Sequence, residues 1–85
     1  MTFNIDHLKK RIIYRSNYRG TKEMDMLLSN FVRLNIEKLT ESQLYELEEF
    51  LNFEDEDIYN YYQNNISNKK IDNNSISVLL KKFNV

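Results

Sequence analysis

The chain is expected to be all-α, a small bundle of about five short helices, and three observations lead there. It has no proline and a single glycine in 85 residues, a composition that suits helices with short polar connections rather than a sheet with tight hairpins. Apolar residues recur at helical spacing along most of the chain, most clearly at Met24, Leu27, Leu28 and Phe31. Cysteine is absent, so stability must come from packed side chains, and six Tyr with five Phe supply much of the volume. The length fits one domain over residues 1–85, with a core that hides only somewhat more than about 60% of the unfolded chain's surface.

Taken in order, the first helix is expected from about Ile5 to Tyr18, with Asn4 as its N-cap, Asp6 in its first turn and Ile5, Leu8 and Ile12 as its core stripe. His7 lies beside that stripe with no second histidine and no cysteine, so it reads as a boundary residue rather than a metal ligand or base. The second helix runs from Thr21 to about Ile36; its Met24, Leu27, Leu28 and Phe31 read as core, and Met26 falls off the stripe as a candidate apolar contact. Thr40 followed by Gln43 has the form of a capping box, which places the third helix from Glu41 to Leu51 with Leu44, Leu47 and Leu51 inward. Asp55 precedes a fourth stripe of Ile58, Tyr61, Tyr62 and Ile66, with Glu56 and Asp57 near the amide end. Residues Ser67 to Asn74 read as a polar connector, after which Ser75 caps a last helix carrying Ile76, Leu79, Leu80 and Phe83. With alanine missing, intrinsic helix propensity is low and packing must hold the helices together.

The formal net charge of -1 hides an uneven distribution. Lys9, Lys10, Arg11, Arg15 and Arg19 oppose only Asp6 near the N-terminus, whereas from Glu37 to Asp57 the sole base is Lys38. Such asymmetry orients a partner. Helices meeting at Gly20 resemble a helix-turn-helix, but the acidic middle would repel DNA phosphates, so no nucleic-acid partner is expected. One histidine, no cysteine and no glycine-rich loop leave nothing to build an activated nucleophile or phosphate cradle; no catalytic residue and no enzyme are expected. The run Glu54-Asp55-Glu56-Asp57 lacks the glycine and the alternating donors of a calcium loop, so no metal site is expected. No apolar run approaches the ~20 residues that cross a bilayer, and membrane insertion is not expected.

The single glycine stands in Arg19-Gly20-Thr21-Lys22-Glu23, between the first two helices. Glycine either enters the left-handed region that ends many helices or lets another surface come close to the main chain. Read on these residues alone, the segment is a helix boundary, with Arg19 at a carbonyl end and Glu23 at an amide end, each worth about 0.3–1 kcal/mol on a surface.

From Tyr14 through Ser16 to Arg19-Gly20, then Lys22-Glu23-Met24-Asp25, Leu27-Leu28 and Phe31, and on through Leu39-Thr40, Leu44, Phe50-Leu51 and Asp55 to Tyr61, the chain resembles the succinate dehydrogenase assembly factor 2 family. The likeness covers roughly residues 11 to 66, with Tyr61 where most members carry tryptophan and Thr21 where methionine is usual. It implies a small helical protein that binds the flavoprotein subunit of succinate dehydrogenase, with that of fumarate reductase as a second candidate client. It also implies covalent attachment of FAD through attack of the client's own histidine on the flavin 8α carbon, so that FAD belongs to the client and this chain needs no cofactor of its own. The expected partner-binding residues are Arg19, Gly20, Lys22, Glu23, Asp25, Asp55 and Asp57, with Tyr18 or Tyr61 as aromatic anchors, although Tyr61 reads rather more readily as a core residue. On this reading Gly20 permits close approach, Arg19 supplies a planar charged donor, and Glu23 accepts hydrogen bonds or holds Arg19. The basic N-terminal segment faintly imitates a transit peptide, but the likeness begins inside it, so the chain is expected to be either bacterial or already processed, with a bacterial cytoplasm favoured; a monomer is expected. The competing expectation is a general helical interaction or regulatory module that merely shares the bundle.

Overall fold

In the computed structural model, which describes residues 5–83, the chain forms α1 (Ile5–Ser16), α2 (Lys22–Asn35), α3 (Glu41–Phe50), α4 (Asp55–Asn64), α5 (Lys69–Asp72) and α6 (Ser75–Lys81), with no strand among the described residues. The N-cap expected at Asn4 lies outside them. The architecture is therefore the expected small all-α bundle, with one additional single-turn helix, α5.

The stripes converge on one core. Leu8 and Ile12 of α1 meet Met24, Leu27, Leu28, Phe31 and Val32 of α2, Leu44, Leu47 and Phe50 of α3, Ile58 of α4, and Ile76 and Leu80 of α6. Helix α1 packs on α2 and α3, α3 packs on α6, and α5 packs on α6. Helix α4 packs more sparsely, through buried Ile58 and half-buried Tyr61 and Tyr62; the Tyr62 hydroxyl donates to the Phe83 carbonyl at 2.6 Å. Its N-terminal turn is fixed by other means, described below.

Several ends follow the sequence closely. Thr21 caps α2, its Oγ1 accepting from the Met24 amide at 3.2 Å. Thr40 and Gln43 exchange both capping-box bonds, at 2.9 and 3.2 Å.

Other ends differ from expectation for identifiable reasons. Helix α1 stops at Ser16 because the Ser16 hydroxyl and the Asn17 side-chain Nδ2 both donate to the Ile13 carbonyl, at 2.8 and 2.7 Å, after which Tyr18 takes a left-handed conformation with φ 59. Gly20 has no positive φ, so Tyr18, not the glycine, makes the left-handed step. Asn65, with φ 56, ends α4 and leaves Ile66 exposed rather than in the core. The connector from Ser67 to Asn74 is not merely polar: Asn68 caps α5, whose Ile71 is fully buried. Asn74, not Ser75, caps α6 and also donates to the Glu46 carbonyl at 2.8 Å.

Freed from capping, Ser75 gives its amide and hydroxyl to the Glu46 carboxylate, both at 2.9 Å. These bonds, the backbone one first, hold Glu46 below its ordinary pKa, and a hydrogen bond from Arg11 does the same for Glu48. A carboxyl depressed in the folded state stabilises the fold above its unfolded pKa and loses that contribution as pH falls through the folded value. Thermal unfolding is thus expected to become pH-dependent below the usual Glu value of 4.5, and Glu46→Gln should flatten part of that dependence in melts between neutral and acid pH.

Candidate partner-binding site

The corner between α1 and α2 is built from helix-end chemistry. The last carbonyls of a helix have no partner within it. Here Asn17 N–H donates to Tyr14 O at 3.2 Å, and Arg19 Nη1 reaches back to Arg15 O at 3.0 Å. Tyr18 N–H donates to Asp25 Oδ1 at 3.0 Å, which pins the left-handed residue to the first turn of α2.

Arg19 is turned inward, its side chain only 12% exposed. Its Nε and Nη2 both donate to Asp55 Oδ1, at 2.9 and 2.6 Å, and its Nη1 also donates to Leu51 O at 3.1 Å, just past the end of α3. The second oxygen of Asp55 accepts the Gly20 amide at 2.8 Å. One ion pair thereby ties together the C-terminal end of α1, the C-terminal end of α3, the first turn of α4 and the corner itself. The carboxylate side chain is 24% exposed, so charge-assisted bonds operate partly shielded from water and are worth more than at an open surface.

This corrects the expected surface. Arg19, expected as a planar donor to the partner or as a group held by Glu23, spends its donors on Asp55 and backbone carbonyls, and none on Glu23. The reason is that helix-end carbonyls and Asp55 together match the planar fork better than water does. The space left by the missing Cβ of Gly20 is likewise used within the molecule: a Cβ there would stand 3.3 Å from Asp55 Oδ2. Since Asp55 is pinned from two sides, it can yield only by lengthening its bonds. Gly20→Ala is therefore expected to remain folded but to lose about 1 kcal/mol, read as a fall of about 4–8 °C in the thermal midpoint.

The remaining expected residues lie around this knot. Lys22, Glu23 and Asp57 are exposed, while Asp25 is half-buried and accepts from the Tyr18 amide. Glu23 shares with Asp55 a shallow groove between the first turns of α2 and α4, lined also by Thr21, Met24, Glu56 and Tyr59. Lys22 and Asp57 take no part in the knot. Tyr61 packs against the core with the Lys81 ammonium 4.2 Å from its ring centroid, whereas Tyr18 is 86% exposed. Arg15, which sequence reasoning did not single out, hydrogen-bonds Asn52 beside the knot.

Among the described residues no group of three or more His, Cys, Asp or Glu side chains is placed to hold a metal ion, and no helix is long and apolar enough to cross a membrane.

Fold and corner define a class: small all-α proteins in which the segment between the first two helices forms a fixed polar corner. The chain belongs to the family described as flavinator of succinate dehydrogenase, whose model matches residues 10–84. It is similar to succinate dehydrogenase assembly factor 2, mitochondrial, of Dictyostelium discoideum, with 47% identity over 57 residues that make up 67% of this chain and 40% of that protein. The proteins of the same name from Saccharomyces cerevisiae and Kluyveromyces lactis are 37% identical over 80 residues (93% of this chain, 49% of theirs) and 39% identical over 64 (75% and 39%). The chain thus spans less than half the length of these curated relatives.

Proposed function

We propose that the chain binds the flavoprotein subunit of succinate dehydrogenase and promotes covalent attachment of FAD to a histidine of that subunit, with the fumarate reductase flavoprotein as a second candidate client. Membership of the flavinator family supports this reading, as does a corner whose shape is fixed from inside while Glu23 stays exposed at its rim. The chain supplies no reacting group. FAD and the acceptor histidine both belong to the client, and the bound assembly factor favours the client conformation in which they are aligned. Alignment of reacting groups accounts for up to about 7–11 kcal/mol of a barrier in ideal cases.

Within the proposed contact set, Lys22, Glu23 and Asp57 meet the client with the Gly20 backbone at the corner, while Asp25 holds the Tyr18 amide from within. Arg19 and Asp55 act through the shape they impose. The chain works as a monomer, and the cytoplasmic location read from its sequence stays part of this proposal, beside relatives named as mitochondrial.

Co-expression with a succinate dehydrogenase flavoprotein subunit tests the reading. After denaturing electrophoresis, in-gel fluorescence of that subunit reports covalent flavin, and the signal is expected to rise well above a control lacking this chain. Equal signals would favour the general interaction module instead.

A further inference from the structure

Tyr18 has features that its own fold does not call for. It occupies the left-handed region, where a residue with a Cβ is strained, although its backbone bond to Asp25 would be made equally well by glycine. Packing gives little in return. The ring is 86% exposed and lies 6.5 Å from that of Tyr14, itself 72% exposed. Two large amphipathic rings held at a rigid corner are the side chains that most often anchor protein interfaces.

Their surroundings state what kind of surface they fit. Tyr14 lines a groove along α1 with His7, Lys10, Arg11 and Arg15. Arg11 is fastened by Glu48 at 2.7 and 3.2 Å and Arg15 by the neutral Asn52, and the one carboxylate of Glu48 acts on both cations, so the groove stays positive on balance. Lys10 is exposed and makes no ion pair among the described residues. Past Tyr18 the sign changes: Glu54 and Glu56 line a cavity that Arg15 and Tyr18 also border, and Glu23 and Asp57 are exposed in the first turns of α2 and α4. The two faces therefore carry opposite signs.

We infer that the aromatic and basic face of α1 docks an acidic segment of the client protein, with Tyr18 and Tyr14 as its anchors. This rests on the assembly-factor reading and adds a second contact surface to it. A basic face and an acidic face flanking one corner admit a client of complementary polarity in one orientation only.

The test uses the full chain and a purified succinate dehydrogenase flavoprotein subunit, with affinity and thermal midpoint measured for wild type, Tyr18→Gly, Tyr14→Ser and Lys10→Glu. Tyr18→Gly relieves the backbone while removing the anchor, so its midpoint is expected to rise by about 4 °C while affinity falls about tenfold. Opposite signs are what a structural role alone does not produce. Tyr14→Ser should also weaken binding, and Lys10→Glu should weaken it and flatten its dependence on salt. If Tyr18→Gly bound as wild type does, or lost affinity together with stability, the inference would be overturned with the assembly-factor reading intact. If wild type bound no flavoprotein subunit, that reading itself would fail. Retention on phosphatidylglycerol vesicles that Tyr18→Gly abolishes, with client binding unchanged, would assign the face to a lipid surface and overturn the inference.

Discussion

Arg19→Met should lower the stability of the chain by about 2–3 kcal/mol, a fall on the order of 10–20 °C in thermal midpoint. Methionine keeps most of the aliphatic stem but removes the donors to Asp55 Oδ1, Arg15 O and Leu51 O. Asp55 then keeps only the Gly20 amide, and a part-buried carboxylate is left without its cation. Because α4 packs sparsely on the other helices, the loss should spread to its first turn and to the corner facing it. For a chain of this length, total stability is itself about 4–13 kcal/mol, so the effect is a large share. Arg19→Lys should recover only part of it, since one ammonium cannot serve the carboxylate and two carbonyls in the geometry of the fork. Thermal melts followed by circular dichroism check both variants.

Glu23→Ala should do the reverse, leaving the fold nearly untouched and weakening the client complex by about tenfold or more. Glu23 is exposed in the first turn of α2, where its interaction with the amide end is worth about 0.3–1 kcal/mol. Its carboxylate stands at the lip of the groove between α2 and α4, beside an Asp55 whose oxygens are already taken. Of the two acids, Glu23 is therefore the one able to accept from a client. Binding and covalent flavin yield should fall together, with the midpoint within a few degrees of wild type.

Elements governed by neighbours in sequence could be read without a structure. The stripe of Met24, Leu27, Leu28 and Phe31 is buried in full, and the Thr40–Gln43 capping box has both its bonds. What could not be read depended on partners far along the chain. Arg19 looked like a surface cation because its acceptors, Leu51 O and Asp55, lie 32 and 36 residues away. Gly20 invited a left-handed conformation, yet the Tyr18 amide found Asp25 and took that step instead. In the polar stretch before α6, Asn74 competes for the cap and Glu46 recruits Ser75, neither of which a stripe of apolar residues reveals. Asp25 and Asp55 belonged to the expected set, but the geometry gives each a partner inside the molecule.

The division between an internal knot and an external face can be measured by labelling carboxyl groups of the chain alone and in complex with the succinate dehydrogenase flavoprotein subunit. Glu23 and Asp57 should react readily when free and become protected in the complex, while Asp55, held by Arg19 and Gly20, reacts slowly in both. Fast labelling of free Asp55 that the client suppresses, with Glu23 equally reactive in both states, would contradict the account.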